Sequence, residues 1–210
     1  MSDFLSQIPR YLHEFELVSR LAYSTGVLYG SLLFSFLLIY LLPVNITRGL
    51  KSSFTEPFFI ASILLTILLN HLLNSAAFPH YVLFFVFVIL NSGLLISAEF
   101  EKQYELLKDN LSSFYPQSGN MKSVLKKSYI SHNFVSILTK HHLKFWLALL
   151  LFEFVSDDLS GVSGAIKLSY WDWSFSAPFF TTLIVLAFIL VFQLLLKKVE
   201  IVFVPWRQQS

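Results

Sequence analysis

The chain has 210 residues, of which 55% are hydrophobic and only 13% charged, about half the charged share of a soluble domain. Fifteen Lys and Arg against thirteen Asp and Glu leave a net charge of +2, which excludes the basic footprint of a nucleic-acid binder. The lack of cysteine excludes disulfides and thiolate metal sites, and 23 Phe with a mean hydropathy of +0.65 exclude disorder, leaving an integral membrane protein.

Residues 1–20 place Phe4, Ile8, Tyr11, Phe15 and Val18 at helical spacing, with Asp3, Arg10 and Glu14 elsewhere. The pattern predicts a short amphipathic helix on the membrane interface, starting near Pro9. No basic n-region precedes a short apolar run, so no cleavable signal peptide is expected. Residues 21–42 carry no charge and close at Pro43, long enough for a first span. Residues 58–73 and 81–98 give a second and third. The stretch from Asn74 to His80 contains Pro79, and the residue before a proline avoids the α region, so a tight turn between antiparallel helices is predicted. Fused into one kinked helix, the pair would reach about 60 Å, twice the hydrocarbon core.

Residues 99–144 are the one long polar segment. Phe100, Tyr104, Leu107 and Leu111 continue a helix, Pro116 to Gly119 break it, and Ile130, Phe134, Ile137 and Leu138 mark a second helix. The expectation is a cytosolic amphipathic loop covering headgroups. Lys122, Lys126 and Lys127 are its candidates for lipid or partner contact, since each basic residue near an acidic leaflet is worth about 1 kcal/mol.

Residues 145–155 are the shortest candidate span, about 16 Å of uninterrupted apolar helix. Backward extension takes in Lys140, His141, His142 and Lys144, so a re-entrant helix is the alternative. Charge asymmetry favours five spans over four. Five put twelve basic residues on one side and three on the other, whereas four give ten against five. The N-terminus is then non-cytosolic and the C-terminus cytosolic. Residues 156–177 form a non-cytosolic loop in which Trp171 and Trp173 are interfacial anchors, residues 178–196 the fifth span, and residues 197–210 a tail.

Gly161 to Ile166 resembles the serine-nucleophile segment of rhomboid intramembrane proteases, over six residues. That chemistry needs a histidine on a later span to activate the serine. All six histidines precede Ser163, so the segment is read as an ordinary Gly/Ser loop. His141 and His142 are adjacent and point about 100° apart on a helix, a poor bidentate pair. An intramembrane polar cluster of Asn70, His71, Asn74, Asn91 and Glu153 is the remaining candidate, as glue between helices or as the lining of a small pocket.

The sequence therefore predicts an all-α integral membrane protein with about five transmembrane helices, or four if residues 145–155 are re-entrant, and amphipathic interfacial helices. No catalytic, cofactor or metal residue is assigned. The expected partners are the lipid bilayer and other membrane proteins, with no nucleic acid. The expected role is a non-enzymatic subunit, assembly factor or membrane-shaping element of the endoplasmic reticulum or nuclear envelope. The alternative is a lipid-handling enzyme or small transporter using the polar cluster.

Overall fold

The computed structural model describes residue 13 and residues 15–41, 55–73, 80–112, 121–156, 159–171 and 176–203. Six helices are bounded within them, and the described residues contain no strand: α1 Leu17–Leu41, α2 Thr55–Leu73, α3 His80–Ser112, α4 Met121–Val155, α5 Val162–Trp171 and α6 Ser176–Phe203. All except the ten-residue α5 are long and apolar enough to cross a membrane. The chain is an all-helical integral membrane protein with five candidate spans.

α1 shows how sequence becomes packing. Leu17, Leu21, Ser24, Leu28, Ser31 and Ser35 recur at alternating four- and three-residue steps, and all are buried. Small hydroxyl residues on that stripe let neighbouring backbones approach closely, the usual device where lipid removes the hydrophobic drive between helices. Their polar atoms are satisfied: Ser31 Oγ donates to the Val27 carbonyl at 2.6 Å and Ser35 Oγ to that of Leu32 at 3.0 Å. Leu33, Phe34, Leu37 and Leu41 lie exposed on the other side, where a bilayer would cover them.

Just before α1 the chain turns sharply. Glu16 has a left-handed φ of 48°, and Arg20 Nε donates back to the Phe15 carbonyl at 3.0 Å. Most of the expected amphipathic N-terminal helix lies outside the described residues. Of its apolar positions, Phe15 is buried in the bundle core while Val18 is exposed.

α2 and α3 run antiparallel. Ser62 meets Asn91 in mid-helix, while Thr55 at the start of α2 lines the same groove as Ala98 and Glu99 far along α3. The connection at residues 74–79 lies outside the described residues.

α3 and α4 have 33 and 35 residues, about 50 Å each and well beyond a bilayer core. The segment expected as an amphipathic loop with helical halves is thus largely a continuation of two spans. Residues 99–112 contain Glu, Lys, Gln and Leu, strong helix formers, with no proline before Pro116, so nothing stops α3 at the membrane edge.

α4 is the central pillar. It packs against α1, α2, α3, α5 and α6, and half of its most apolar window is buried, against 11% for α2 and 17% for α6. Residues 145–155, the shortest candidate in the sequence, are the last turns of this pillar. Phe145, Trp146, Leu149 and Phe152 are buried there at the heart of the main core, with Leu28, Phe84, Val88 and Val162. A second cluster of Phe36, Ile96, Ile130 and Ile137 ties α1, α3 and α4 together further along. Within the segment expected as a loop after residue 155, α5 folds as a short helix against α1, α4 and α6.

Candidate functional site

The deepest polar assembly is built around Glu153. Its side chain is completely buried among α1, α4 and the start of α5. Ser24 Oγ donates to Oε1 at 2.6 Å, and the backbone N–H of Ser163 donates to Oε2 at 3.1 Å. Ser24 Oγ in turn accepts from the Val162 N–H at 2.9 Å. Amides in the first turn of a helix lack intrahelical partners, so α5 presents its N-terminus to a carboxylate that needs donors. Gly161 makes this approach possible, because a methyl group there would overlap the Glu153 carboxyl carbon. Gly164 does the same for the Leu159 carbonyl.

The glycine-serine segment is therefore not an ordinary loop. It is the bend and first turn of α5, folded as a cradle for the one acid buried deep in α4. Ser163 contributes its amide to Glu153, and its hydroxyl donates to the Leu150 carbonyl at 2.9 Å. Lys167, one turn further along α5, donates to the carbonyls of Glu153 and Ser156. Those carbonyls end α4, so Lys167 serves as its C-terminal cap.

A second assembly joins the outer helices. Asn91 is buried on α3, where its side-chain amide donates to Ser62 Oγ at 3.0 Å and to the Phe87 carbonyl at 2.9 Å. The next residue, Ser92, points to another face of α3, where its hydroxyl and that of Ser35 share a 2.7 Å bond between α3 and α1. Gln193 Nε2 donates to the Thr139 carbonyl at 3.0 Å and links α6 to α4. Near it, the wholly buried His142 ring lies against Tyr29 and Phe192 and edge-on to Trp146.

The third assembly is open. A groove of about 560 Å³ is lined by Thr55 and Glu56 of α2, Leu95, Ala98, Glu99 and Lys102 of α3, and Lys140, His141 and Lys144 of α4. Lys144 pairs with Glu56, and Lys140 and His141 both pair with Glu99 Oε1.

These positions redistribute the residues expected to act together. Asn91 and Glu153 belong to separate assemblies. Asn70 is buried near the end of α2, two turns from Ser62, and the adjacent His71 is exposed. Asn74 lies outside the described residues. Of the described members, Asn91 bonds to Ser62 of α2 and Glu153 to Ser24 of α1. Lys126 is buried in the seam between α3 and α4, with Nζ 3.4 Å from Ser97 Oγ, whereas Lys127 is exposed over the Tyr40 ring. Two consecutive helical residues point about 100° apart, so they cannot share one headgroup-facing surface. Lys122 lies on the first turn of α4. Trp171 is exposed at the end of α5, and Trp173 lies outside the described residues.

No protein family, no curated protein and no solved structure matches this chain. Its site has to be read from its own geometry.

Sequence reasoning missed Ser24, Ser35 and Ser92. The serine spacing of α1 was available as a signal, since Ser24, Ser31 and Ser35 repeat on the stripe that also carries Leu17, Leu21 and Leu28. Gly161 was noticed for the wrong chemistry. Its meaning depends on Glu153, eight residues earlier, which only the fold brings back to it.

Proposed function

We propose that this chain is a non-enzymatic multi-pass membrane protein that serves as a subunit, assembly factor or membrane-shaping element in a larger membrane assembly. One observation carries the reading. Three polar side chains suited to chemistry inside the bundle are spent on holding helices together: Glu153 on Ser24 and the α5 amide, Ser163 on the Leu150 carbonyl, Asn91 on Ser62. A nucleophile or general base has to be free to meet a substrate, and these groups meet other helices.

The endoplasmic reticulum or nuclear envelope is the proposed location. The 19-residue α2, about 28 Å long, suits the thinner bilayer of the endoplasmic reticulum, about 27 Å. The proposed orientation puts the N-terminus away from the cytosol and the C-terminus in it, on the strength of twelve basic residues against three. Purification of the tagged full-length chain from its native membrane in mild detergent tests the role. Other membrane proteins in fixed ratio are the expected result. A chain that purifies alone and turns over a bound lipid would replace this reading with a lipid-handling enzyme.

A further inference from the structure

The groove between α2, α3 and α4 is crossed by the ion pairs of Glu56 and Glu99 and stays open between them. Its volume of about 560 Å³ falls within the roughly 300–1,000 Å³ of small-molecule sites. We propose that this groove, walled by Lys102, Lys140, Lys144 and His141 beside Leu95 and Ala98, binds the phosphodiester of an acidic phospholipid. The proposal goes beyond the assembly role and does not depend on it.

Charge is the first argument. Three ammonium groups line the groove with two carboxylates, Glu56 and Glu99. The lysines exceed the carboxylates by one positive charge, and a phosphodiester brings one negative charge. Lys102 is exposed and makes no ion pair among the described residues. Lys140 and Lys144 are each paired, yet an ammonium has three donors and each spends one on its carboxylate. Their side chains remain 64% and 37% exposed, so the other donors are within reach of a ligand.

Depth is the second argument, and it separates a lipid from a soluble anion. Glu56 stands at the start of α2, directly before its apolar run; Glu99 stands where the apolar run of α3 ends. The groove therefore sits at the level where apolar helix surface gives way to charge, which is headgroup level for a spanning helix. Its wall also includes Leu95 and Ala98. The exposed Ile60 and Leu64 follow Glu56 at four-residue steps along α2 and offer an acyl chain an apolar path on the same face. Free phosphate would gain nothing from these contacts.

The test uses the full-length protein in nanodiscs of phosphatidylcholine, with or without phosphatidylglycerol, whose one charge is its phosphodiester. Native mass spectrometry reads retained lipid, and thermal melting reads stabilisation. The wild type should retain phosphatidylglycerol over phosphatidylcholine and melt higher in its presence, with no such gain from inorganic phosphate. Lys102→Glu should reduce that retention by about tenfold or more, as expected for reversing one charge at about 1 kcal/mol per basic residue. Lys197→Glu, the same charge change on the exposed end of α6, should leave it unchanged. If Lys102→Glu melts lower than the wild type in pure phosphatidylcholine, Lys102→Gln replaces it, with a smaller loss expected. Equal losses in the Lys102 and Lys197 variants would overturn the proposal, as would wild-type retention in the Lys102 variants. Equal retention of both lipids by the wild type would also overturn it, and stabilisation by inorganic phosphate alone would reassign the groove to a soluble anion.

Discussion

Gly161→Ala is the sharpest probe of the Glu153 cradle. Gly161 lies outside the left-handed region of φ, so alanine is allowed by the backbone and the cost is purely steric. The new methyl would occupy the space of the Glu153 carboxyl carbon, and the carboxylate is already fixed by Ser24 and the Ser163 amide. To make room it must abandon both donors. Hydrogen bonds to a charged group are worth about 1.5–3 kcal/mol each, and breaking a buried ionic network typically costs about 3–5 kcal/mol. We expect Gly161→Ala to lower unfolding free energy by about 3–5 kcal/mol in a reversible denaturation in mixed micelles. Glu153→Ala should cost a similar amount, because Ser24 and the α5 amides lose their acceptor. The decisive measurement is the double variant. Once the carboxylate is gone, the alanine methyl fits the vacated space, so Gly161→Ala should then cost less than about 1 kcal/mol. Additivity within about 0.5 kcal/mol, the behaviour of independent sites, would refute the contact.

Three further outcomes follow from the same structure. Asn91→Leu should weaken the packing of α2 on α3 by about 0.6–2 kcal/mol, the range of hydrogen bonds between helices in a bilayer, and the loss should vanish in a Ser62→Ala background; hydrogen exchange across α2 reads it. Lys167→Met keeps the aliphatic stem but removes the cap of α4, and should cost about 0.5–1.5 kcal/mol in the same denaturation assay while leaving the Gly161–Glu153 coupling intact. Five spans put the chain ends on opposite sides, so a tag at Met1 and a tag at Ser210 should show opposite protease protection; protection of both alike would leave one of the five helices short of crossing.

Membrane class and the places of most spans were legible in the sequence, because both depend on local composition. A run of about 20 apolar residues cannot stay in water and must satisfy its own backbone in lipid, so residues 21–42, 58–73, 81–98 and 178–196 could be read from hydropathy alone. The helices α1, α2, α3 and α6 cover those runs, apart from Leu42 beyond the last bound residue of α1. The continuation of the third helix through Leu111 was equally visible, because no breaker stands before Pro116, and the helix runs unbroken from His80 to Ser112.

What the fold alone decided was the meaning of the polar residues. Lys140, His141 and Lys144 made the fourth span look short when averaged along the chain, yet each has a neighbour from another helix to face: Glu99 for Lys140 and His141, Glu56 for Lys144. Lys126 and Lys127 are adjacent in sequence and divided by the helical turn, one inside the seam and one outside. Ser24 and Glu153 are 129 residues apart and 2.6 Å apart in space. Hydropathy is a property of residues taken singly, whereas the cost of a buried charge depends on the donors around it. Those donors come from remote segments of the chain, so the local pattern could place the membrane but could not place the cradle within it.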